Sequence, residues 1–558
     1  MKNLLDKVQQ SKRYHFWLFF ALLIFLSSFM MFLYEPLCPG QDFFFHFRRL
    51  QALMDALKDH SWPYYLDYTA INGYGYFTKA FYPDLILIPF AFIGNFTDAA
   101  FAYKLLIFTM TVLCGTFTYY AVNYVYKDKF AASVGALLFT FSSYRLLDIY
   151  HRASLAEVIS FTFIPIVFLG LYHIIKGDYK KWYILAIGYS LMIFTHLISS
   201  VLMFVTMLIF LVIYYKPLLK EPKRIAYLVL AGVVTIVVTS YYIFPMAEQM
   251  LSDLFYYQTR EIMTRVQGAL YPPHWIVWGM FLGFTITEQA FIAGVGLLLT
   301  ASIALRLFVY EKSDKLRSLD IGVVVGLVFI VACSFFFPWT TFPFSLLDFI
   351  QFPWRLLEFS GFLFAIAGGY YFSRLLKTNK RRLVGCGAIA VLIAIMLAND
   401  SKMYQNYRCT RDILEEATVR DNYHLGGMEY LPDKVPDMKY IHQRGDSVKA
   451  QNDTIVISDF TRAKGLTGFN ISINTKDSLE LPLIYYKGYA ATLNGQEIPV
   501  TQSSHGLVQV PVDQSGRVEA WYKGTLIQKL GFYTTILTIF ALCAYIFLKN
   551  RKKKHLKT

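Results

Sequence analysis

A carboxylate, an imidazole and a guanidinium follow one another at i, i+4 and i+7 in PGQDFFFHFRRLQALMDAL, as Asp42, His46 and Arg49. At about 100° per residue of helix, the three share one face. A carboxylate so placed can accept a proton from an attacking hydroxyl, and a guanidinium can hold a phosphate through paired hydrogen bonds. Phe43, Phe47, Leu50, Met54 and Leu57 form an adjoining apolar stripe, suited to lying on a bilayer surface. A plainer account is also open, in which Asp42 N-caps the helix and the basic groups snorkel to lipid phosphates.

A second dense stretch is SSYRLLDIYHRASLAE, with Arg145, Asp148, His151, Arg152 and Glu157. Arginine suits a lipid phosphate because it is permanently charged and binds in two-pronged fashion. Arg145 and Asp148, one helical turn apart, can equally well pair with each other. A third stretch, QFPWRLLEF, supplies Pro353 for a helix start, Trp354 for an aromatic belt and Arg355 as a further cation. In INGYGYFTKAFYPDL, Tyr74, Tyr76 and Tyr82 offer rings that can stack on a sugar, although a mobile aromatic loop at the interface reads the same way. His196 ends an apolar run, where a capping or lipid-facing histidine is the expectation.

The missing motifs narrow the chemistry. The first polar loop holds no DxD pair, and the chain has no HExxH, P-loop or GxSxG. His46, His151 and His196 are too scattered to read as a zinc set, so no metal is expected. The middles of the apolar runs are nearly free of Asp, Glu, Lys and Arg, unlike the midplane sites of ion-coupled transporters.

These groups need elements to hold them, and composition says which kind. The chain has 558 residues, 56% of them apolar and 18% aromatic, with a mean hydropathy of +0.41. Runs of about 20 apolar residues cross a bilayer. About twelve such runs begin near residues 15, 100, 129, 154, 181, 197, 225, 289, 319, 356, 383 and 528. Phe81 to Gly94 is shorter and carries Pro83, Asp84 and Pro89, so it reads as an interfacial or re-entrant segment. With that assignment, the basic clusters around Lys127, Lys180, Lys223, Lys315 and Arg381, together with both termini, all fall on the cytoplasmic side. The acidic, His and Arg residues of the three stretches fall on the outer face. The net charge of +15 is then orientation charge facing anionic lipid, and no nucleic-acid partner is implied. The first run lacks a small-x-small cleavage site and reads as a retained anchor. Cys38 and Cys409 fall outside the apolar runs, and a disulfide between them is unsupported by spacing.

The expected organisation is an all-α polytopic membrane bundle over residues 1–398, with a large first outer loop at 35–99. An extracytoplasmic β-rich domain follows over 399–527, then a final span and basic cytoplasmic tail over 528–558. DTIVISDF, GFNISINT, LELPLIYYKGYAATL, GLVQVPV and RVEAWYKG are alternating or β-branched runs, and Asn494-Gly495 is a hairpin signal. A small antiparallel sandwich is the expectation there.

GQDFFFHFRRL, NGYGYFTKAFYPDL, SYRLLDIYHRASLAE, QFPWRLLEF, EYLP and LPLIYYKGYAATLNG together resemble a bacterial membrane family. It carries the label 6-pyruvoyl-tetrahydropterin-synthase-related and is akin to membrane proteins that glycosylate lipoteichoic acid. The order of one span, a large outer loop opening on an acidic residue, a helical bundle and a late outer domain resembles the GT-C glycosyltransferase fold. The resemblance implies an outward-facing, inverting, metal-independent glycosyltransferase of the cytoplasmic membrane, with no cofactor beyond its donor. That donor would be a polyprenyl-phosphate-linked sugar, and the acceptor an envelope glycan, lipid or polymer. The family's acidic residue maps onto Asp42. His46, Arg49, Arg145, Asp148, His151, Arg152, Glu157 and Arg355 would face the lipid phosphate. Two alternatives stay open: a lipid-linked glycan flippase or exporter, and a non-catalytic protein that binds envelope polymer.

Overall fold

The structure is a computed structural model that describes residues 14–35, 37, 39–63, 65–261, 264–286, 291–402, 428–451 and 455–555. Cys38 and Cys409, and the basic residues ahead of Tyr14, lie outside the described residues. Cys114, Cys333, Cys386 and Cys543 are free thiols.

The chain is mainly helical. Among the described residues, six helices are long and apolar enough to cross a membrane: Phe16–Leu33, Ala99–Tyr126, Lys129–Arg152, Pro353–Leu375, Asn379–Lys402 and Leu526–Arg551. A seventh crossing arises if Lys223–Val238 and Ser240–Ser252, bent by 71°, act as one span. The expected run near residue 319 forms one unbroken helix, Asp314–Ala332, and most of the remaining runs are helical but interrupted. Pro165 opens Ile164–Ile175, and a proline cannot donate the backbone bond that would continue the preceding Leu155–Ser160. Leu197–Ile213 starts afresh at a His196 cap. Gly296–Ala304 follows two close-packed glycines, since a Cβ on Gly294 would lie 2.1 Å from the Gly279 carbonyl oxygen. The segment expected at the interface forms only the short helix Ile88–Gly94, with proline in its first turn.

The chain divides into two compact units that interleave along the sequence instead of following in series. The first unit comprises Met1–His46, Thr97–Thr235 and Thr264–Leu414, and holds most of the helices. The second comprises Phe47–Phe96, Ile236–Met263 and Glu415–Thr558. The residues of the first polar loop beyond His46 therefore group with the strands and the final helix, not with the bundle.

The second unit carries the strands that the alternating runs predict. One antiparallel sheet has the order Val456–Ala463, Leu466–Ser472, Gly516–Tyr522, Tyr489–Leu493 and Gln496–Ile498. A smaller sheet has the order Asp477–Ile484, Leu507–Val512 and Thr501–Gln502. Asn494 and Gly495 turn the Tyr489–Leu493 hairpin with φ of 52° and 80°, the left-handed pair that a two-residue hairpin requires. Both sheets feed one apolar core, with Phe469, Leu493 and Val518 from the larger and Leu479, Leu481 and Val510 from the smaller.

Candidate functional site: a buried charge network in the helical unit

Three sequence-distant stretches of the first unit meet around one set of charges. The middle one, after Ser143–Leu147, does not continue as an α-helix. Asp148–Arg152 forms a π-helical turn, and Ala153 closes it in the left-handed region at φ 49°, its N–H donating to the Asp148 carbonyl. Such widened turns close their hydrogen bonds one residue further along than an α-helix does and occur often at functional sites. Here the turn sets Arg152 beside Asp148 and beside Glu157 of the next helix, Leu155–Ser160.

The segment ahead of Phe43–Lys58 lies against this turn. Gln41 N–H donates to the His151 carbonyl at 3.1 Å, and Asp42 N–H to the Arg152 carbonyl at 2.7 Å. Gly40 makes the approach feasible, because a Cβ there would stand 2.6 Å from the His151 oxygen and 2.9 Å from the Ala153 nitrogen. The Asp42 carbonyl accepts from His46 N–H, so Asp42 marks the start of the helix that the spacing predicts.

Arg152 Nη1 lies 2.6 Å from Asp148 Oδ1 and 2.8 Å from Glu157 Oε2. Arg355, from the short turn Pro353–Leu356, places Nε 3.3 Å from the same Glu157 Oε2. Its Nη1 donates to the Ile350 carbonyl at 2.6 Å and to Gln351 Oε1 at 3.0 Å. Tyr144 hydroxyl donates to the other Glu157 oxygen. One fully buried glutamate therefore braces two guanidiniums. The Phe352 ring lies near both, with its centroid 6.0 Å from the Arg152 guanidinium and 5.0 Å from that of Arg355. Among the described residues, Nε and Nη2 of Arg152 and Nη2 of Arg355 donate to no protein acceptor.

Asp42 is half-buried at the edge of this network. Burial raises its carboxyl above the ordinary carboxylate range; Arg152, Arg355 and a hydrogen bond from Ser154 pull it back, while Glu157 pushes it further up. The arrangement can thus take up a proton at Asp42 and neutralise a new negative charge at the two arginines.

Behind Glu157 sits a further buried carboxyl, Glu358, from Leu357–Leu375. Ser160 donates to one of its oxygens and Ser199, at 2.8 Å, to the other. Ser199 also bonds the His196 ring at 2.8 Å, and that ring caps Leu197–Ile213. His196 is thereby the N-cap of that helix.

Other expected site residues lie elsewhere. Arg145 is fully buried, but it bonds the Thr140 carbonyl and Thr111 hydroxyl, both at 3.0 Å, and does not pair with Asp148. The π turn hands Asp148 to Arg152 instead. His151 is half-buried and joins the loop contact through its backbone, while His46 is buried. Arg49 donates to the Pro83 carbonyl at 2.9 Å and stacks over Tyr82 at 4.8 Å, within the second unit. Phe43, Phe47 and Leu50 are buried, so the apolar stripe packs into protein instead of lipid. Tyr74 and Tyr76 are also buried; Tyr74 hydroxyl donates to the Gly445 carbonyl, and Tyr76 hydroxyl accepts from Tyr430 N–H at 3.2 Å. Their rings are not offered to a sugar, because left-handed Gly73 and Gly75 fold the loop back on Asp67.

Sequence reasoning did not single out Tyr144, Ser154, Ser199, Phe352 or Glu358. Tyr144, Ser154, Phe352 and Glu358 stand inside the motifs already noted, yet only the fold turns them inward. Among the described residues, no group of three or more His, Cys, Asp and Glu is arranged to hold a metal ion.

No protein-family model matches the chain. An uncharacterized protein of Lactococcus lactis subsp. cremoris (strain MG1363) is 22% identical over 626 aligned residues, covering 98% of each chain. The likeness therefore spans both units and carries no activity with it.

Proposed function

We propose that the chain is a GT-C-type glycosyltransferase of the cytoplasmic membrane, working at its outer face on a polyprenyl-phosphate-linked sugar. In this reading the interrupted helices complete about twelve crossings, both termini are cytoplasmic, and the two sheets pack as an extracytoplasmic sandwich. Asp42 removes the proton from the acceptor hydroxyl as its oxygen attacks the anomeric carbon. The bond from that carbon to the phosphate oxygen breaks, and the polyprenyl phosphate leaves with the electron pair. One displacement inverts the anomeric centre. The charge growing on the departing phosphate is met by the uncommitted nitrogens of Arg152 and Arg355, which Glu157 holds in place beforehand. A preorganised donor of this kind contributes about 2.7–4 kcal/mol to a transition state. A general base contributes roughly 10²–10⁴-fold, most when its pKa lies near the working pH.

One observation supports this reading above the others: a carboxyl raised by burial sits on the segment whose backbone bonds the Arg152 carbonyl, and two guanidiniums braced by Glu157 keep nitrogens that donate to no acceptor among the described residues. Arg145, committed to Thr111 and Thr140, has no part in it. The test is a mass comparison of envelope lipids and polymers from cells with and without the gene. Loss of a hexose or amino-sugar increment on one component supports transfer and names both sugar and acceptor. Unchanged masses, with a lipid-linked glycan accumulating on the inner leaflet, would replace transfer with translocation.

A further inference from the structure

The second unit contains a groove of about 560 Å³ that the transfer reaction does not use. One wall is the start of the final helix, with Gln528, Lys529, Phe532 and Tyr533. The other walls come from the strand ends around Leu466 and Trp521, and from Tyr65 and Tyr68. The polar end of this helix is fixed in place. Thr525 N–H donates to Gln528 Oε1 at 3.0 Å while Gln528 N–H donates to the Thr525 hydroxyl at 3.1 Å, a reciprocal cap. The Gln528 side chain is buried and donates to the Tyr522 hydroxyl at 2.7 Å, which in turn donates to the Lys487 carbonyl. The groove is therefore a built feature with a rigid wall.

Its chemistry is two-sided. The lining is mostly apolar and aromatic, yet Lys464, Lys523 and Lys529 stand on it. Lys464 pairs with the half-buried Asp59 at 3.1 Å and Lys523 with the exposed Glu497 at 2.6 Å; both lysines are themselves exposed, and such pairs are weak enough for a better anion to displace. Among the described residues Lys529 has no anionic partner. The groove also has a definite depth. Phe532 and Tyr533 lie in the first two turns of a helix apolar enough to span a bilayer, the level at which aromatic rings and lysines meet head groups.

We propose that this groove binds one anionic phospholipid from the leaflet facing the strands. The three lysines hold its phosphate, and its acyl chains run along Leu466, Trp521, Phe532 and Tyr533. A neutral glycan would satisfy the rings but leave the lysines unused. A free phosphate would satisfy the lysines but leave the apolar walls wet.

Native mass spectrometry of the full-length protein, given equimolar phosphatidylglycerol and phosphatidylcholine in nonionic detergent, tests the proposal. One phosphatidylglycerol should be retained preferentially. Each basic residue near a lipid surface contributes about fivefold in affinity, so Lys529→Gln should cut that preference by about that factor. The combined Lys464→Gln, Lys523→Gln and Lys529→Gln protein should treat the two lipids alike. Trp521→Ala should weaken retention of both. Equal retention by the unaltered protein, or a full preference in the triple variant, overturns the assignment. Displacement of the lipid by millimolar glycerol phosphate overturns it too, because it makes the site one for soluble phosphate. Sugar transfer is expected to be unaffected by Lys529→Gln, so failure here leaves the transfer reading standing.

Discussion

Glu157 is the residue on which the network turns, since its carboxylate touches Arg152, Arg355 and Tyr144 while being closed to solvent. Removing one member of a buried ion pair leaves the other charge uncompensated, at a cost of about 3–5 kcal/mol. Glu157→Gln should therefore lower the thermal unfolding midpoint in detergent well beyond the effect of an exposed substitution such as Glu311→Gln; equal shifts would show that the brace does not exist. Asp42 makes a prediction of opposite kind, about pH. A base must be ionised to act, and burial places the Asp42 carboxyl above the ordinary carboxylate range. As pH falls through that raised value the residue protonates, so transfer should decline at a pH where an exposed carboxylate is still charged. The acid limb of kcat/KM against pH reads this directly. A limb at or below the ordinary carboxylate value would remove Asp42 from the base role.

The local elements explain why so few residues bring the charges together. The helix Phe43–Lys58 was legible from spacing, as were the strands from their alternation and the hairpin from Asn494-Gly495. The π turn Asp148–Arg152 was not, because nothing in DIYHR distinguishes a widened turn from an ordinary helical one; tertiary packing decides it. That single unread turn accounts for Asp148 pairing with Arg152 and not with Arg145, a pairing the sequence had left open. Glu358 was missed for a related reason, since a glutamate at a helix start ordinarily serves the helix dipole and points to water. Gly40 gives a test at this scale. Its neighbours at 2.6 and 2.9 Å are backbone atoms that cannot swing aside, so Gly40→Ala should cost about 1–3 kcal/mol by overpacking and pull Asp42 from Arg152. Transfer should fall while the protein still reaches the membrane; undiminished transfer would show that the 40–42 contact does not position the base.

For the whole molecule, the proposed outward placement of the strands sets a direction across the bilayer. Sites near Lys464 should react with a membrane-impermeant thiol reagent in intact cells once a cysteine is placed there, and a cysteine in the basic tail only after permeabilisation. The reverse pattern would put the strands in the cytosol and end the envelope reading. Six of the expected apolar runs form helices long enough to span, because twenty apolar residues have few other uses, while the interruptions in the other runs and the interleaving of the two units depend on contacts between distant segments that no local pattern encodes. The central claim, that Asp42 and the Arg152–Arg355 pair form one reaction centre, is tested most directly by sugar transfer in membranes holding equal amounts of the unaltered protein and of Asp42→Asn. A loss of roughly 10²–10⁴-fold is expected, with the protein folded and in place. Transfer by Asp42→Asn at the unaltered rate would contradict it.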